Sequence, residues 1–341
     1  MILILTRSFD PHADYVAKRL RARGVKFIRF DPVEFPTRAE LSIRYSALGQ
    51  TERLLRLAAG SLDLNNLKAV WYRRPQVPAP HEEIINLSTQ TFVAQECQTF
   101  VQDVWNSLDC LWVPAPHGVC VRAQFKASQL RLAGAVGFEL PPTLITNSPE
   151  EFVEFYCKHN GNIISKLAGF SFFEAIGASF GRYTEVVSKR DVAYSRALRF
   201  CPVIFQAYVP KLLELRITVV GKQVFAAEIH SQESNQTRYD WRHYDSYLTR
   251  YLPHELPQDV ATCCLDLVEE LGLCYGAIDM VITPDRRYVF IEINPNGQYL
   301  WIEEATGLPI SDSICDLLIS GLPARGLAQG PVHSLVEEKM Q

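Results

Sequence analysis

A predicted β-hairpin near the carboxyl end of the sequence constrains the fold most. Residues 276–283 and 288–296 form two largely apolar runs, and a four-residue turn that contains a proline lies between them. Two apolar runs on either side of such a short turn are typical of antiparallel strands. If the turn is symmetric, Thr283 pairs with Tyr288. The pattern therefore predicts two long strands that lie side by side in a fixed register.

The same register brings acidic side chains together. Counting back from the turn places Asp279 directly opposite Glu292, with Cβ atoms about 5 Å apart. Asn294 projects from the same face as Glu292, because side chains two residues apart on a strand share a face. Two opposed carboxylates repel each other, and a hard cation such as Mg²⁺ or Mn²⁺ would turn that repulsion into attraction. The alternative is an ordinary amphipathic hairpin whose acidic side faces solvent.

The amino-terminal segment predicts a strand–helix–strand unit. Residues 2–5 are an apolar run, residues 11–23 have the pattern of an amphipathic helix, and residues 25–30 predict a second strand. Such a unit is typical of an open parallel sheet, to which residues 67–72 would add another strand. The sequence has no GxGxxG motif, so nothing in it indicates a dinucleotide site.

Changes in pattern divide the rest of the chain. A proline-rich break follows a long predicted helix at 87–108 and places a boundary near 115–120. We expect an α/β protein with an amino-terminal domain at 1–118, a central unit at 119–190, a carboxyl-terminal unit at 191–325 and a tail at 326–341. Further helices are predicted at 122–132 and 257–271, and residues 146–150 have the pattern of the start of another helix. Further strands are predicted at 140–145, 163–167, 203–208, 215–220 and 224–230.

Composition excludes several classes of protein. The 341 residues are 48% hydrophobic and 21% charged, which is typical of a folded chain and not of a disordered one. Lys and Arg number 34 against 38 Asp and Glu, and this acidic balance argues against a general nucleic-acid binder. The nine cysteines form no CxxC pair, and no apolar run is long enough to span a membrane. We therefore expect a cytoplasmic protein with reduced thiols.

The hairpin and three further features resemble the ATP-grasp ligases. In that superfamily an Asp on one strand and an E-x-N motif on the next hold magnesium, and here these would be Asp279 and residues 292–294. The resemblance covers residues 115–315, and it implies a preATP-grasp domain in front of two α+β subdomains that clasp ATP. The three other features, which follow in the order typical of the superfamily, are Lys126, then Lys166, then the hinge residues Gln206, Ala207, Tyr208 and Val209 together with the pair Glu214 and Arg216 that follows them.

Within the superfamily, the sequence more closely resembles the graspetide (microviridin-type) peptide ligases. The similar segments are residues 70–75 (VWYRRP), 229–232 (IHSQ), 239–242 (YDWR) and 294–301 (NPNGQYLW). Members of this family use ATP to close ester or amide rings within a ribosomally made precursor peptide, and they are often homodimers. One segment departs from the superfamily's pattern, because residues 168–173 contain a single glycine where many ATP-grasp proteins have a glycine-rich loop.

The resemblance implies a role for each of these residues. Lys126 and Lys166 would neutralise the α- and β-phosphates, and Glu214 would accept hydrogen bonds from the ribose. Arg216, on the same strand face as Glu214, would hold the γ-phosphate and later the acyl phosphate. For the two lysines and Glu214, the alternative is a solvated surface charge. The remaining implied ligands are Gln206, Ala207, Tyr208 and Val209 for adenine, and Asp279, Glu292 and Asn294 for magnesium.

Four other arginines and one histidine are candidates for substrate binding. Arg73 and Arg74 directly follow a predicted strand, where open α/β sheets bind ligands, and an acidic precursor peptide would suit them. Structural ion pairing is the alternative. Arg238 and Arg242 could bind an acidic side chain or a phosphate, or could lie in an exposed polar loop. His230 could act as a base for a substrate hydroxyl, or could be a structural histidine.

Together these features predict an ATP-dependent peptide ligase. It would activate Asp or Glu side chains of a precursor peptide as acyl phosphates and close ester or amide macrocycles, with ATP and Mg²⁺ or Mn²⁺ as cofactors. One alternative is an intermolecular carboxylate–amine ligase, which shares the activation step. The other is a nucleotide-binding regulator without catalysis. We expect no nucleic-acid or membrane partner, and the resemblance allows a homodimer.

Overall fold

The computed structural model describes residues 1–167, 172–175, 178–181, 184–233 and 249–321, except for the side chains of 172–181 and 233. The amino-terminal part consists of strands and two helices. They are β1 (Ile2–Thr6), α1 (Pro11–Ala22), β2 (Phe27–Phe30), β3 (Glu40–Tyr45), β4 (Thr51–Leu57), β5 (Gly60–Asp63), β6 (Ala69–Arg74), α2 (Leu87–Asn106) and β7 (Leu111–Val113).

The predicted parallel sheet at the amino terminus is confirmed. Its strand order is β2-β1-β6-β7, and each pairing is parallel. Strand β1 is buried along its whole length, because it is apolar on both faces and both faces of the sheet are covered. Helix α1 begins after Asp10, whose carboxylate accepts hydrogen bonds from the N–H groups of His12 and Ala13. Strands β3, β4 and β5 form a separate antiparallel meander, which the sequence pattern did not predict.

The predicted helix at 122–132 is two helices. α3 (His117–Ala123) and α4 (Lys126–Ala135) are separated by a short break, in which Phe125 has extended backbone with φ −69° and ψ 114°. An extended residue cannot continue the helical hydrogen-bond ladder. Lys126 is consequently the first residue of a new helix and does not lie in the middle of a long one.

The central part contains a small antiparallel sheet. Its elements are β8 (Thr143–Thr146), α5 (Pro149–Lys158), β9 (Ile163–Lys166), β10 (Phe172–Ala175), β11 (Ala178–Gly181), β12 (Glu185–Val186), α6 (Lys189–Ala193) and β13 (Val203–Ala207). The sheet has the order β12-β9-β13-β8. It extends beyond the boundary expected at residue 190, because β13 pairs with both β8 and β9. Helix α5 begins after a polar cap as predicted, where Ser148 accepts a hydrogen bond from the N–H of Glu151.

The carboxyl-terminal part is built on a larger antiparallel sheet. Its elements are β14 (Leu213–Val220), β15 (Gln223–Ile229), β16 (Tyr251–His254), α7 (Gln258–Glu270), β17 (Tyr275–Ile282), β18 (Tyr288–Asn294), α8 (Leu300–Thr306) and α9 (Ile310–Ser320). The strand order is β16-β15-β14-β17-β18. One face, which includes Leu215, packs against α4 and α7, and the other, which includes Ala227, packs against α8, α9 and the amino-terminal sheet. Helices α8 and α9 were not predicted, and the predicted tail at 326–341 lies outside the described residues.

The predicted hairpin is present, but its register at the turn differs from the expectation. Ile282 pairs with Tyr288, so the predicted pairing of Thr283 with Tyr288 is wrong. The physical reason is an asymmetric turn, in which Arg286 adopts a left-handed backbone with φ 66°. A left-handed residue at the end of a hairpin turn shifts the pairing of the two strands by one residue.

A β-bulge in the same hairpin restores the predicted pairing of the acidic residues. The register shifts once more beside Asp279, and Asp279 pairs with Glu292 as predicted. Ile291 is the extra residue that the bulge places in β18. Two shifts of one residue each therefore cancel at the point where the carboxylates lie opposite each other.

The amino-terminal sheet and the carboxyl-terminal sheet share one hydrophobic core. His12 lies at their junction, where its Nε2 accepts hydrogen bonds from the N–H groups of Tyr299 and Leu300, at 3.2 Å each. Burial lowers the pKa of His12, so the neutral ring that can accept these bonds is favoured. This contact fixes the segment that follows β18 against the amino-terminal domain.

Candidate active site

Three neighbouring strands carry acidic and basic side chains on one face. Arg216 of β14 pairs with Asp279 of β17, and Asp279 pairs with Glu292 of β18. Directly paired residues of antiparallel strands project from the same face, and Glu214, two residues before Arg216, shares it. Arg216 Nη1 donates a hydrogen bond to Asp279 Oδ1 at 2.8 Å, and its Nη2 donates to the carbonyl of Gln298 at 2.9 Å. The strands thus bring together the residues that the sequence proposed for phosphate and metal binding.

The second carboxylate also has a positive side chain beside it. Lys126 Nζ lies 2.6 Å from Glu292 Oε2, and Asn294 Nδ2 donates to Glu292 Oε1 at 3.3 Å. The predicted repulsion between Asp279 and Glu292 is therefore offset by Arg216 and Lys126. A metal ion that binds the two oxygens in contact with Arg216 and Lys126 would displace these cations, and nucleotide phosphates are groups to which both cations could transfer.

The donor set fits magnesium that is shared with a nucleotide. Asp279, Glu292 and Asn294 offer carboxylate and amide oxygens, and Mg²⁺ is commonly held by one or two carboxylates together with substrate phosphates. Within the described parts of the chain, no group of three His, Cys, Asp or Glu side chains is arranged to hold a metal ion. The donor set is therefore suited to a metal that arrives with phosphate ligands.

A glycine that sequence reasoning missed closes one side of this site. A Cβ atom at Gly297 would lie 2.2 Å from the Cβ of Ala277 and 2.8 Å from Nη2 of Arg216. The carbonyl of Gly297 also accepts a hydrogen bond from the hydroxyl of Tyr275 at 2.7 Å. The glycine allows the chain after β18 to fold back against Arg216. The sequence signal that could have identified Gly297 is its position three residues after Asn294, a predicted metal ligand.

The second lysine is held by a neutral amide. Lys166 Nζ lies 2.8 Å from Gln206 Oε1, and Gln206 Nε2 donates to the Thr143 hydroxyl at 3.0 Å. Lys166 lies at the end of β9, and Gln206 is buried on the neighbouring strand β13. The side chain of Gln206, which was predicted among the adenine ligands, therefore orients Lys166. Thr143 was not identified from the sequence.

Two backbone groups of the predicted adenine hinge are already engaged. The N–H of Ala207 donates to the carbonyl of Pro142, and the N–H of Tyr208 donates to the carbonyl of Asn162, both at 2.9 Å. The cause is the position of β13 inside the sheet, with a strand on each side. An adenine base that binds at this segment would need its other backbone groups, such as those of Val209, which is half-buried in the loop that follows.

Glu214 is a buried carboxylate with two polar neighbours. Its Oε1 lies 3.1 Å from Lys211 Nζ and accepts a hydrogen bond from the Ser231 hydroxyl at 2.8 Å. Burial raises the pKa of Glu214, although the charge of Lys211 and the bond from Ser231 act in the opposite direction. Glu214 is not a solvated surface acid. Ser231, which sequence reasoning missed, begins the turn that follows β15.

The two arginines at the end of β6, Arg73 and Arg74, lie in different surroundings. Arg73 is buried in the junction between the domains, where its Nη1 donates to the carbonyl of Asn296 at 2.8 Å and its Nε lies 3.5 Å from Asp10 Oδ2. These contacts favour the alternative of structural pairing for Arg73. Arg74 is half-buried, and burial together with the charge of Arg73 lowers its pKa. Of the two, Arg74 is the residue that remains a candidate for substrate binding.

The predicted base His230 lies away from the phosphate-binding face. Its Nε2 is 2.9 Å from Glu228 Oε2, and Glu228 pairs with Leu215, on the face opposite to Arg216. His254 Nδ1 contacts the other oxygen of Glu228 at 2.8 Å. Burial alone would raise the pKa of Glu228, but hydrogen bonds with the two histidines lower it. This geometry favours a structural role for His230. The predicted residues Arg238 and Arg242 lie outside the described residues.

The structure has an open parallel sheet in front of two antiparallel sheets, of which one carries Lys166 and the other carries Arg216, Asp279 and Glu292. This is the arrangement of the ATP-grasp proteins. The chain is 33% identical to a ligase of this fold from Chryseobacterium gregarium, associated with ribosomally made, modified peptides (RiPPs) and solved with ADP and a leader and core peptide. That match covers 94% of this chain and 97% of the other, with a TM-score of 0.88. The chain therefore belongs to the family of RiPP-associated ATP-grasp ligases, the graspetide macrocyclases.

Further comparisons agree with this assignment. The chain is 31% identical to two macrocyclases from Microcystis aeruginosa, MdnC bound with the precursor peptide MdnA and MdnB, with TM-scores of 0.84 and 0.78. Each match covers 94% of this chain and 99% of the other. Residues 1–118 match a family model described as the MvdD pre-ATP grasp domain. No protein of curated function matches the sequence significantly. In the described part of the chain, no helix has both the length and the apolar character to cross a membrane.

Proposed function

We propose that this protein uses ATP and Mg²⁺ to close macrocycles in a ribosomally made precursor peptide. The observation that carries the proposal is the pairing of Lys126 with Glu292 and of Arg216 with Asp279. Two potential metal ligands on adjacent strands each lie beside a potential phosphate ligand, as a site for a metal–nucleotide complex requires. The relative solved with ADP and a leader and core peptide supports both the nucleotide and the substrate class.

The proposed reaction has two steps. A carboxylate oxygen of a core Asp or Glu attacks the γ-phosphorus of ATP, and the bond from that phosphorus to the β-phosphate oxygen breaks, which releases ADP. A hydroxyl or amine of the same peptide then attacks the acyl carbon. The acyl carbon–phosphate bond breaks, inorganic phosphate leaves, and the nucleophile loses its proton. An oxygen nucleophile gives an ester, a nitrogen nucleophile gives an amide, and we propose that the enzyme forms one of these two bonds.

The protein's contribution is to orient the reactants and to neutralise charge. In the proposal Arg216 binds the transferring phosphoryl group, Lys126 and Lys166 bind the α- and β-phosphates, and Glu214 binds the ribose hydroxyls. Asp279, Glu292 and Asn294 would hold magnesium or manganese, which would neutralise the charge of the phosphates. Arg74, Arg238 and Arg242 are the proposed contacts for acidic side chains of the peptide.

We also propose a homodimer and a cytoplasmic location. At the start of α2, Ile85, Leu87 and Phe92 are exposed, and we propose that they contribute to the apolar patch through which two copies associate. If these residues form the dimer contact, Phe92→Glu should convert a dimer to a monomer in analytical ultracentrifugation. All nine cysteines are free thiols, as is usual in a reducing compartment.

Intact mass spectrometry tests the activity. The protein would be incubated with Mg²⁺, ATP and the precursor peptide encoded beside it, and the product should lose one water per ring only when ATP is present. Glu292→Gln should abolish the change. A gain of mass would instead indicate intermolecular ligation. An unchanged peptide, with ADP binding still measurable, would indicate a nucleotide-binding regulator and contradict the proposed activity.

A further inference from the structure

Strand β18 carries two proposed metal ligands but lies at the edge of its sheet. An edge strand has one row of backbone groups that no neighbouring strand pairs with. Near one end of β18, the N–H of Phe290 donates to the carbonyl of Glu139 at 2.9 Å. Near the other end lies Ile293, between Glu292 and Asn294. The position of those two ligands depends on what holds the Ile293 peptide groups.

The side chain of Gln129 on α4 takes the place of a neighbouring strand at Ile293. Its Nε2 donates to the carbonyl of Ile293 at 2.7 Å, and its Oε1 accepts from the N–H of Ile293 at 3.4 Å. Nε2 also donates to the carbonyl of Ala123, at the end of α3, at 2.6 Å. Gln129 is 1% exposed, so its amide is shielded from water. Hydrogen bonds in such a buried environment are stronger than in water, and their loss leaves polar groups that water cannot easily reach.

The same helix places the first lysine of the site. Lys126 and Gln129 are three residues apart on α4, so they lie on one side of the helix. Lys126 Nζ is 2.6 Å from Glu292 Oε2 and 3.5 Å from Gln129 Oε1. One glutamine therefore joins the helix that carries Lys126 to the strand that carries Glu292 and Asn294.

We propose that Gln129 is a positioning residue that sets the placement of Glu292, Asn294 and Lys126 for the metal–nucleotide complex. The proposal rests on the function proposed for this site. Gln129 touches neither the nucleotide nor the metal in this scheme, and it acts through the Ile293 peptide. Groups that orient metal ligands in this way strongly affect metal affinity.

Titration calorimetry with ADP, in the presence and absence of Mg²⁺, tests the proposal. Gln129→Met keeps a similar volume without hydrogen-bonding groups, and it should reduce the Mg²⁺-dependent gain in ADP affinity about 10- to 100-fold. ADP affinity without metal should fall by a smaller factor than this gain, because only Lys126 among its proposed ligands depends on Gln129. Gln124→Met is the matched control, because Gln124 is exposed just before α4, and it should change neither value.

If Gln129→Met lowers only the melting temperature and leaves the metal-dependent gain intact, Gln129 is a structural residue and the proposal is wrong. Hydrogen exchange of the wild type gives a second test that needs no variant. The Ile293 amide should exchange as slowly as amides inside β17, and exchange as fast as that of an exposed edge would overturn the proposal. A wild type that binds ADP equally with and without Mg²⁺ would contradict the proposed function of the site itself.

Discussion

The central sheet, which carries Lys166, and the carboxyl-terminal sheet, which carries Arg216, Asp279 and Glu292, differ in size and in core. Among the described residues, the central core has four buried apolar side chains, namely Phe152, Ile163, Val187 and Phe205. The carboxyl-terminal sheet is buried on both faces, against α4 and α7 on one side and against the amino-terminal domain on the other. Because hydrophobic stabilisation scales with buried apolar area, we expect the central sheet to open at a lower free energy.

The two sheets also differ in how they hold charge. Lys166 contacts the neutral amide of Gln206, whereas Lys126 and Arg216 contact the carboxylates of Glu292 and Asp279. Lys166 lies on a different sheet from Asp279 and Glu292, so a nucleotide phosphate that binds Lys166 does not remove the basic partner of either carboxylate. A nucleotide whose phosphates bind Lys126 and Arg216 separates these cations from Glu292 and Asp279. The two carboxylates then lie close together, away from these two cations, which favours the binding of a metal ion. Metal dependence should accordingly come from the carboxyl-terminal sheet, and metal-independent affinity from the central sheet.

Removal of a carboxylate should have the largest effect. Glu292→Gln keeps the shape but loses the charge, and it should reduce ATP-dependent ring closure by roughly 1,000-fold or more, because the residue would hold the metal directly. Steady-state formation of ADP in the presence of the precursor peptide measures the loss. Glu304→Gln, an exposed residue of α8, is the control that should stay active. Near-normal activity in Glu292→Gln would contradict the metal assignment.

A matched pair of phenylalanine truncations compares the two cores. Phe152 stacks on Phe205 at 4.3 Å between ring centroids, and Phe290 stacks on Phe138 at 5.3 Å. Each change to alanine should cost about 3–5 kcal/mol. In hydrogen exchange, Phe152→Ala should speed exchange in the central sheet alone, whereas Phe290→Ala should lower the free energy of global unfolding. If both variants lower only global stability, the two sheets unfold together and the comparison fails.

The two lysines should respond differently to magnesium. Lys166→Met should weaken ADP binding about 10-fold, a loss of about 1.4 kcal/mol, to the same extent with and without Mg²⁺. Lys126→Met removes a cation that competes for Glu292, so free Mg²⁺ should bind more tightly while the gain from combining Mg²⁺ and ADP becomes smaller. Calorimetry measures both quantities, with Lys158→Met as an exposed control. If the two variants change Mg²⁺ binding and ADP binding in the same way, the proposed difference between the surroundings of Lys126 and Lys166 is wrong.

Acid should weaken the junction on which the carboxyl-terminal sheet depends. Burial alone would raise the pKa of Asp10, but hydrogen bonds from His12 and Thr6 and the charge of Arg73 hold this pKa far below its usual value. A carboxyl group whose pKa is depressed by folding stabilises the native state above its unfolded pKa of about 3.9, and this contribution is lost as pH falls further.

The expected loss from Asp10 is about 1 kcal/mol between about pH 5 and pH 3. Urea denaturation at several pH values measures it. Asp10→Asn should be less stable than the wild type at neutral pH and should show a smaller dependence on pH in this range. An equal dependence in both proteins would mean that Asp10 does not stabilise the junction.

The sequence pattern correctly predicted the features that depend on the alternation of side chains between the two faces of a strand. Asp279 was expected opposite Glu292, and the structure has this pair. Arg216 was expected on the face of Glu214, and only the structure shows that Arg216 pairs with Asp279. The pattern failed where one residue has unusual backbone geometry. Arg286 shifts the turn and Phe125 divides a helix, and neither residue type signals that conformation. The bulge beside Asp279 made the predicted acidic pairing correct despite the wrong register at the turn.

The sequence by itself determined the parallel amino-terminal sheet, the acidic hairpin and the order of the residues that define the family, because apolar runs and side-chain alternation are local properties of the chain. Only the tertiary structure decided which polar groups lose contact with water and what they contact instead. Arg73 became a structural link to Asn296, and Gln129 became the partner of Ile293. These partners are far apart in sequence, and their hydrogen bonds form only when separate elements pack and exclude water.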